Sequence, residues 1–196
     1  MQRADHDLAF MLQYENIAWY EDGKVKILDR RIYPARIEFV ICHTHQEVAQ
    51  AITDMVTQSA GPYTAVPMGM ALAAHECRDK TAAEQMEYLR KAAHTISHAR
   101  PTTVKRMALL CDLCLAEAER ALAAGEDTAQ AIVNKTVELN NTRYERVAKI
   151  GKYLVDLFPE NGTVMTHCFA ETIVGMMLRE CSAVSYTHLR AHETRR

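Results

Sequence analysis

The sequence lacks the segments that would place a protein in or across a membrane. No apolar run approaches the roughly 18 residues that a bilayer-spanning helix needs. The first seven residues include Arg3, Asp5, His6 and Asp7 but no apolar core of an export signal. The formal charge is −2 over 196 residues, so no excess of one sign points to nucleic acid or to a membrane surface. We therefore expect neither as a partner.

Motifs for nucleotides and metals are also absent. No P-loop, G-x-G-x-x-G or nucleophile elbow occurs. Cys111 and Cys114 form a single C-x-x-C pair, whereas zinc ribbons need two, and their spacing places both on one side of a helix, in the core. His94 and His98 have a spacing that can clamp a metal, but no third ligand is evident nearby. We predict no metal and no cofactor.

The six cysteines follow no disulfide framework. Without an export signal, we expect reduced thiols and a cytoplasmic protein.

The chain begins with a β-hairpin pattern. Residues 17–20 and 25–28 are strand-like and flank Asp22-Gly23, which is a strong signal for a tight turn. A third short strand is predicted at residues 37–41, after Pro34. Residues 1–43 therefore form a small β region.

Residues 44–160 read as a helical domain. Two capping boxes, Thr44 with Glu47 and Thr81 with Glu84, predict helix starts. The first of these helices carries one apolar stripe, made of Val48, Ile52, Met55 and Val56. His43 and His45 flank its start and are expected to be exposed.

The next helix is apolar on most sides and is predicted to be central and buried. Pro67 is expected to kink it, and its core residues include Met68, Met70 and Leu72. Further on, Pro101 and Gly125 predict helix boundaries. A long helix or a broken pair then runs to Pro159.

The periodicity changes after Gly162. Residues 163–168 are strand-like and residues 170–181 are helical, which is typical of the first βα unit of an α/β domain. One such unit cannot form a parallel sheet alone, so the chain is expected to end early. The predicted class is α+β to α/β, with a truncated Rossmann-like domain beginning at residues 161–183. Residues 184–196 resemble translated cloning sequence and are predicted to be non-native; a disordered basic tail is the alternative.

Four segments in order resemble one family: DGKVKILDRRIYP, EVAQAITDMV, ARPTTVKRMA and AKIGKYLVDLFPENGTVMTHC. They are similar to methylthioribose-1-phosphate isomerases, which share a superfamily with the alpha, beta and delta subunits of initiation factor 2B. The resemblance implies a helical N-terminal domain, a Rossmann-like C-terminal domain and an aldose–ketose isomerase acting on a sugar 1-phosphate. It also implies a homodimer that needs no cofactor.

The resemblance assigns site residues. Cys168 falls on the catalytic cysteine of the family, and Arg100 on an arginine that holds the substrate phosphate. The phosphate loop of the family corresponds to Gln58, Ser59 and Ala60, where its arginine has become Gln58. The catalytic aspartate of the family would lie beyond residue 196, so the chain as given is expected to be inactive. The alternative is a non-catalytic metabolite-binding or regulatory subunit like those of initiation factor 2B.

The local sequence gives Cys168 a chemical rationale of its own. A thiol at the end of a strand and the start of a helix lies in the field of free helix N–H groups, which lowers its pKa from about 8.5. Such a thiol can pass protons in both directions, as isomerisation requires. The alternative is a small buried hydrophobe. Alternation along a strand places His167 on the opposite face from Cys168, which argues against a dyad.

Overall fold

The computed structural model describes residues 3–159, 163–166 and 170–183. The chain divides into two compact units, Met1–Thr142 and Arg143–Arg196. The predicted domain boundaries after residues 43, 160 and 183 remain predictions. The chain is predominantly helical with a small antiparallel sheet, and the elements are β1 (Ala18–Glu21), β2 (Lys24–Leu28), β3 (Phe39–Cys42), α1 (Tyr14–Ile17), α2 (His45–Thr53), α3 (Pro62–Glu76), α4 (Ala82–Ser97), α5 (Val104–Ala124), α6 (Thr128–Val155) and α7 (Glu171–Ala183).

The sheet has the order β1-β2-β3, with both pairs antiparallel. Its first connection is the predicted turn, because Asp22 and Gly23 both have positive φ, 49° and 72°, as a two-residue hairpin with right-handed twist requires. Val25 and Ile27 on β2 are fully buried, while Lys24 at the start of the strand is exposed and Lys26 is half-buried. This alternation turns one face of the sheet toward the core of the first unit.

Helix α3 occupies the middle of the first unit. Twelve of its 15 residues are buried, and it contacts α2, α4, α5, β1 and β2. The prediction of a central helix that is apolar on most sides is therefore confirmed, and Met68, Met70 and Leu72 are fully buried. Pro67 lies within this helix, as predicted.

The helix-start signals in the sequence are confirmed with one difference. Thr81 and Glu84 form a complete capping box at α4. At α2, the Thr44 side chain accepts the Glu47 N–H, but the Glu47 carboxylate accepts from the N–H of His43 rather than that of Thr44. Each arrangement still gives a hydrogen-bond acceptor to backbone N–H groups at the helix start, which have no partner within the helix.

Two other expectations about the helices have clear outcomes. Gly125 ends α5 with a φ of 67°, the left-handed conformation that favours glycine. The expectation that Met55 belongs to the apolar stripe of α2 is wrong: Met55 is 39% exposed, and its φ is 59°. The helix ends at Thr53, so Met55 has left the helical period that buries Val48 and Ile52. Val56 also lies beyond the helix but is buried all the same.

The described part of the second unit is helical. Val155, Met177 and Cys181 form a small buried cluster between the end of α6 and α7. Gly151 permits this close packing, because a Cβ there would lie 3.2 Å from the Cβ of Met176. The predicted helix at residues 170–181 is confirmed as α7.

The predicted strand at residues 163–168 is not confirmed. Residues 163–166 have no β pairing, and residues 167 and 168 lie outside the described residues. A strand is stable only beside another strand, and within residues 3–159, 163–166 and 170–183 no strand pairs with this segment. Over the same residues, no helix combines the length and the apolar character needed to cross a membrane.

A buried polar cluster joins α2, α3 and α4. His45 donates its backbone N–H to Glu76 at 2.8 Å, and its ring Nδ1 lies 2.5 Å from the same carboxylate. The Tyr88 hydroxyl donates to that carboxylate at 2.9 Å. His45 is only 4% exposed, so the expectation that it is exposed is wrong. Its partner lies 31 residues away along the chain, where no local pattern can reveal it.

Replacing Glu76 tests this cluster. Burial raises the pKa of the Glu76 carboxyl, but the hydrogen bonds from His45 outweigh it, and the pKa lies below its usual value of 4.5. A carboxyl with a lowered pKa stabilises the fold above its unfolded pKa and loses that contribution as the pH falls through its folded pKa. We expect Glu76→Gln to lower the free energy of unfolding by about 2 kcal/mol at pH 7. The difference from the unmodified chain should shrink below pH 4.5, as measured by urea unfolding.

Glu87→Gln is the matched control, because Glu87 is exposed and pairs with Lys91 on the surface of α4. It should change stability much less than Glu76→Gln does. Equal effects of the two substitutions would show that the buried cluster contributes nothing specific.

Gly61, which precedes α3, lies too close to its neighbours to carry a side chain without a shift. A Cβ at this position would overlap the Thr57 hydroxyl and lie 3.0 Å from the Gln58 carbonyl. Because Thr57 is buried, we expect Gly61→Ala to cost about 1–3 kcal/mol of unfolding free energy. Thr57→Ala removes the overlapping atom, so the double variant should recover part of that loss in urea unfolding. Strictly additive effects would contradict this explanation.

Candidate functional site

The predicted site residues fall in two parts of the chain. Gln58, Ser59, Ala60 and Arg100 lie in the first unit and are described. Cys168, together with His167, lies outside the described residues. Its role as the catalytic thiol stays a prediction. The described site residues are therefore those predicted to bind the phosphate.

A tight turn holds Gln58, Ser59 and Ala60 at the start of α3. The Gly61 N–H donates to the Gln58 carbonyl at 2.8 Å, and the Tyr63 N–H donates to the Ala60 carbonyl at 3.1 Å. Ser59 adopts a positive φ of 53°. Pro62, the first residue of α3, fits there because it has no N–H to satisfy. The turn is therefore fixed by its own backbone.

The side chain of Gln58 turns back toward α2. Its Nε2 donates to the Met55 carbonyl at 3.3 Å. The amide is uncharged and half-buried, and one of its donors is already used in this contact. Gln58 can therefore offer a ligand only a neutral hydrogen bond, which is weaker than a charge-assisted one.

Arg100 precedes a short 3-10 turn, Pro101–Thr103, that leads into α5. Its backbone is extended, with φ −138° and ψ 117°, as expected before proline. No carboxylate in the described part of the chain forms an ion pair with this arginine. Its half-buried guanidinium is therefore available to an anion.

Two contacts place the turn and the Arg100 segment side by side. The Thr53 hydroxyl, at the end of α2, donates to the Ala99 carbonyl at 2.9 Å. The guanidinium carbon of Arg106, in the first turn of α5, lies 5.3 Å from the ring centre of Tyr63 in the first turn of α3. Residues more than 40 positions apart thus form one junction, which we call the α3–α5 junction: residues 58–63 and 99–106.

The charge around this junction is strongly positive. Residues 88–111 contain no Asp or Glu, and they include Arg90, Lys91, Arg100, Lys105 and Arg106. The Thr103 hydroxyl in the same segment is buried, and it has no hydrogen-bond partner among the described residues. A buried hydroxyl without a partner is uncommon in folded proteins. The junction therefore offers an anionic ligand both positively charged side chains and the unpaired Thr103 hydroxyl as possible contacts.

The remaining candidates do not form a second site. Cys111 and Cys114 are buried as predicted, and burial raises the pKa of Cys111 to about 12. The rings of His94 and His98 stack with their centres 4.0 Å apart, so their planes do not converge on a common metal position. Among the residues that the structure describes, no group of three or more His, Cys, Asp or Glu side chains is placed to hold a metal ion.

Arg106 is a residue that sequence reasoning missed. It carries no motif, and its contact with Tyr63 joins two helices that are distant in sequence. The available signal was the run without acidic residues around it, which local pattern reading passed over.

Comparison with known proteins confirms the resemblance seen in the sequence. Methylthioribose-1-phosphate isomerase of Carboxydothermus hydrogenoformans is 30% identical over 156 residues, covering 78% of this chain and 44% of that protein. The protein of the same name from Roseiflexus castenholzii is 31% identical over 157 residues, with 78% and 44% covered. The chain thus spans about half the length of the curated relatives it matches.

Solved structures share the fold. Translation initiation factor eIF-2B subunit delta from A. fulgidus matches with a TM-score of 0.67 and 23% identity, over 86% of this chain and 51% of that chain. The 5-methylthioribose 1-phosphate isomerase of Pyrococcus horikoshii OT3 matches with a TM-score of 0.62 and 22% identity, over 92% and 53%. A sequence profile of the Initiation factor 2 subunit family matches residues 61–195, which is more than half of the chain. The chain therefore belongs to the Initiation factor 2 subunit family.

Proposed function

We propose that this chain belongs to an aldose–ketose isomerase that acts on a sugar 1-phosphate, similar to methylthioribose-1-phosphate isomerase. The observation that carries the proposal is the α3–α5 junction, where the turn of Gln58, Ser59 and Ala60 lies beside the Arg100 segment. The curated relatives that bear the isomerase name support the same activity class. Binding of the phosphate at this junction would fix the substrate by its most strongly charged group.

The reaction needs groups of two kinds. A sugar phosphorylated at C1 has no free aldehyde, so an acid must first assist ring opening. Hydrogen then moves from C2 to C1, and the C2 hydroxyl becomes a carbonyl, so that substrate and product are isomers. We assign Cys168 as one of the proton-transferring groups, since a thiol with a pKa near neutrality can act in both directions. We also propose that the residues from 161 onward begin the Rossmann-like domain of the family.

Arg100 is the test of phosphate binding. We expect Arg100→Gln to weaken the binding of ribose 1-phosphate by roughly tenfold, because a charge-assisted and bidentate contact is lost. Isothermal titration calorimetry on the 196-residue chain measures the change. Arg90→Gln is the matched control, since Arg90 is an exposed arginine of α4, about 10 Å along the helix from its end. Equal affinities of the two variants would contradict the assignment of Arg100.

The reactivity of Cys168 is the test of the catalytic assignment. The five described cysteines are all buried, and burial raises the pKa of each thiol: Cys42 (to about 11), Cys77, Cys111, Cys114 and Cys181. We therefore expect iodoacetamide at pH 8 to alkylate Cys168 at least about tenfold faster than the others, as followed by peptide mass spectrometry. Ribose 1-phosphate should slow this reaction.

Cys168→Ala should remove the fast phase, and Cys42→Ala should keep it. A Cys168 that reacts as slowly as the buried thiols would end its assignment. If the chain bound ribose 1-phosphate in spite of such an unreactive thiol, the metabolite-binding alternative would be favoured.

A further inference from the structure

Arg106 stands at the α3–α5 junction without a role in the site predicted from the sequence. We propose that the guanidinium of Arg106 binds the phosphate group of the substrate at the turn of Gln58, Ser59 and Ala60, as the second cation beside Arg100. This inference rests on the proposed function, since it concerns the ligand of the same junction.

Part of the backbone of the turn is already hydrogen-bonded. The N–H groups of Gly61, Tyr63 and Thr64 donate to the carbonyls of Gln58, Ala60 and Gly61, at 2.8, 3.1 and 3.0 Å. Pro62 has no N–H at all. Within the described residues, the N–H groups of Ser59 and Ala60 have no backbone carbonyl as partner, so they can donate to a phosphate. These amides are uncharged, so cationic side chains must balance the charge of the phosphate.

The side chains of the turn itself carry no charge. Gln58 is neutral and already donates to the Met55 carbonyl, while Ser59 and Ala60 bring a hydroxyl and a methyl group. A phosphate near neutral pH carries more than one negative charge, and a single arginine cannot neutralise it fully. A second cation beside Arg100 is needed for tight binding at this place.

Arg106 has the position for this task. Its guanidinium carbon lies 5.3 Å from the ring centre of Tyr63, whose N–H is bonded to the Ala60 carbonyl. A guanidinium over an aromatic ring is attracted to it, and its N–H groups can still form a bidentate contact with a phosphate. The Tyr63 contact thus places Arg106 next to the first turn of α3.

Arg106 is also free of competing partners. Its side chain is exposed, and no carboxylate among the described residues pairs with it. By contrast, carboxylates already occupy Arg3, Arg31 and Arg120 elsewhere in the first unit. Because residues 88–111 contain no acidic side chain, nothing in the local sequence would compete with an incoming anion.

The test compares two adjacent cations of α5. Lys105 is exposed like Arg106, but successive residues of a helix point about 100° apart. We expect Arg106→Gln to weaken the binding of ribose 1-phosphate and of inorganic phosphate by the same factor, roughly 5- to 20-fold. Lys105→Gln, with the same change of net charge, should weaken it less than about twofold. Arg106→Lys should be intermediate, because it keeps the charge but loses the planar donor pair.

A rescue variant adds a second, independent readout. Gln58→Arg places a guanidinium on the turn itself, so it should restore most of the affinity that Arg106→Gln loses. Thermal unfolding of each variant checks that the exposed substitutions leave the fold intact.

The outcomes separate the two proposals. If Arg100→Gln weakens binding but Arg106→Gln behaves like Lys105→Gln, the role of Arg106 is overturned and the proposed function stands. The role of Arg106 is also overturned if its loss affects the sugar phosphate but not inorganic phosphate, or if Gln58→Arg rescues nothing. If neither ligand binds the unmodified chain, the proposed function fails and the role of Arg106 fails with it.

Discussion

The burial of α3 on nearly every side is the constraint on which the first unit depends. A helix whose neighbours are α2, α4, α5 and two strands has no face left for solvent, so only its ends can carry polar chemistry. The unit meets this constraint differently at each end. At the C-terminal end, Glu76 accepts hydrogen bonds from His45 and Tyr88 and joins three helices. At the N-terminal end, the turn before Pro62 closes on itself and leaves a cationic surface beside it.

This difference between the two ends explains where binding is possible. A hydrogen-bonded pair that is satisfied internally, such as His45 with Glu76, contributes to specificity of the fold but offers a ligand nothing. Cations with which no carboxylate of the described residues pairs, such as Arg100 and Arg106, cost little while they remain hydrated and become strong donors when an anion replaces water. The absence of acidic residues from 88 to 111 keeps the second end in this open state. A general excess of positive charge is not required, since the chain as a whole is slightly negative.

The parts of the fold that the sequence predicted are those with local causes. The turn at Asp22 and Gly23, the capping box of Thr81 and the left-handed end at Gly125 each depend on residues within a few positions of one another. The buried α3 was predictable as well, because an unbroken apolar pattern leaves no alternative to a central position. These features needed no knowledge of the tertiary structure.

The errors share the opposite cause. His45 was expected to be exposed, but a carboxylate 31 residues away covers it. Met55 matched the apolar spacing of α2, yet the helix ends two residues earlier and the spacing no longer applies. The strand predicted at residues 163–168 is a separate case: residues 163–166 pair with no strand among the described residues, and β structure depends on a neighbouring strand that no local pattern supplies. Arg106 belongs to the same group as His45, since only the packing of α5 against α3 brings it to the turn.

In the proposed function, the residues of the α3–α5 junction and Cys168 have different roles. A phosphate held by Arg100 and Arg106 is the same group before and after hydrogen moves between C2 and C1, so these contacts stabilise substrate and transition state alike. Such uniform binding raises affinity without accelerating the chemical step. In the proposed function, proton transfer depends instead on Cys168, which lies more than 60 residues further along the chain. A chain of this kind can therefore keep its ligand and lose its reaction through changes at one thiol. The solved structures that share this fold accordingly include one protein named as an isomerase and one named as an initiation factor subunit.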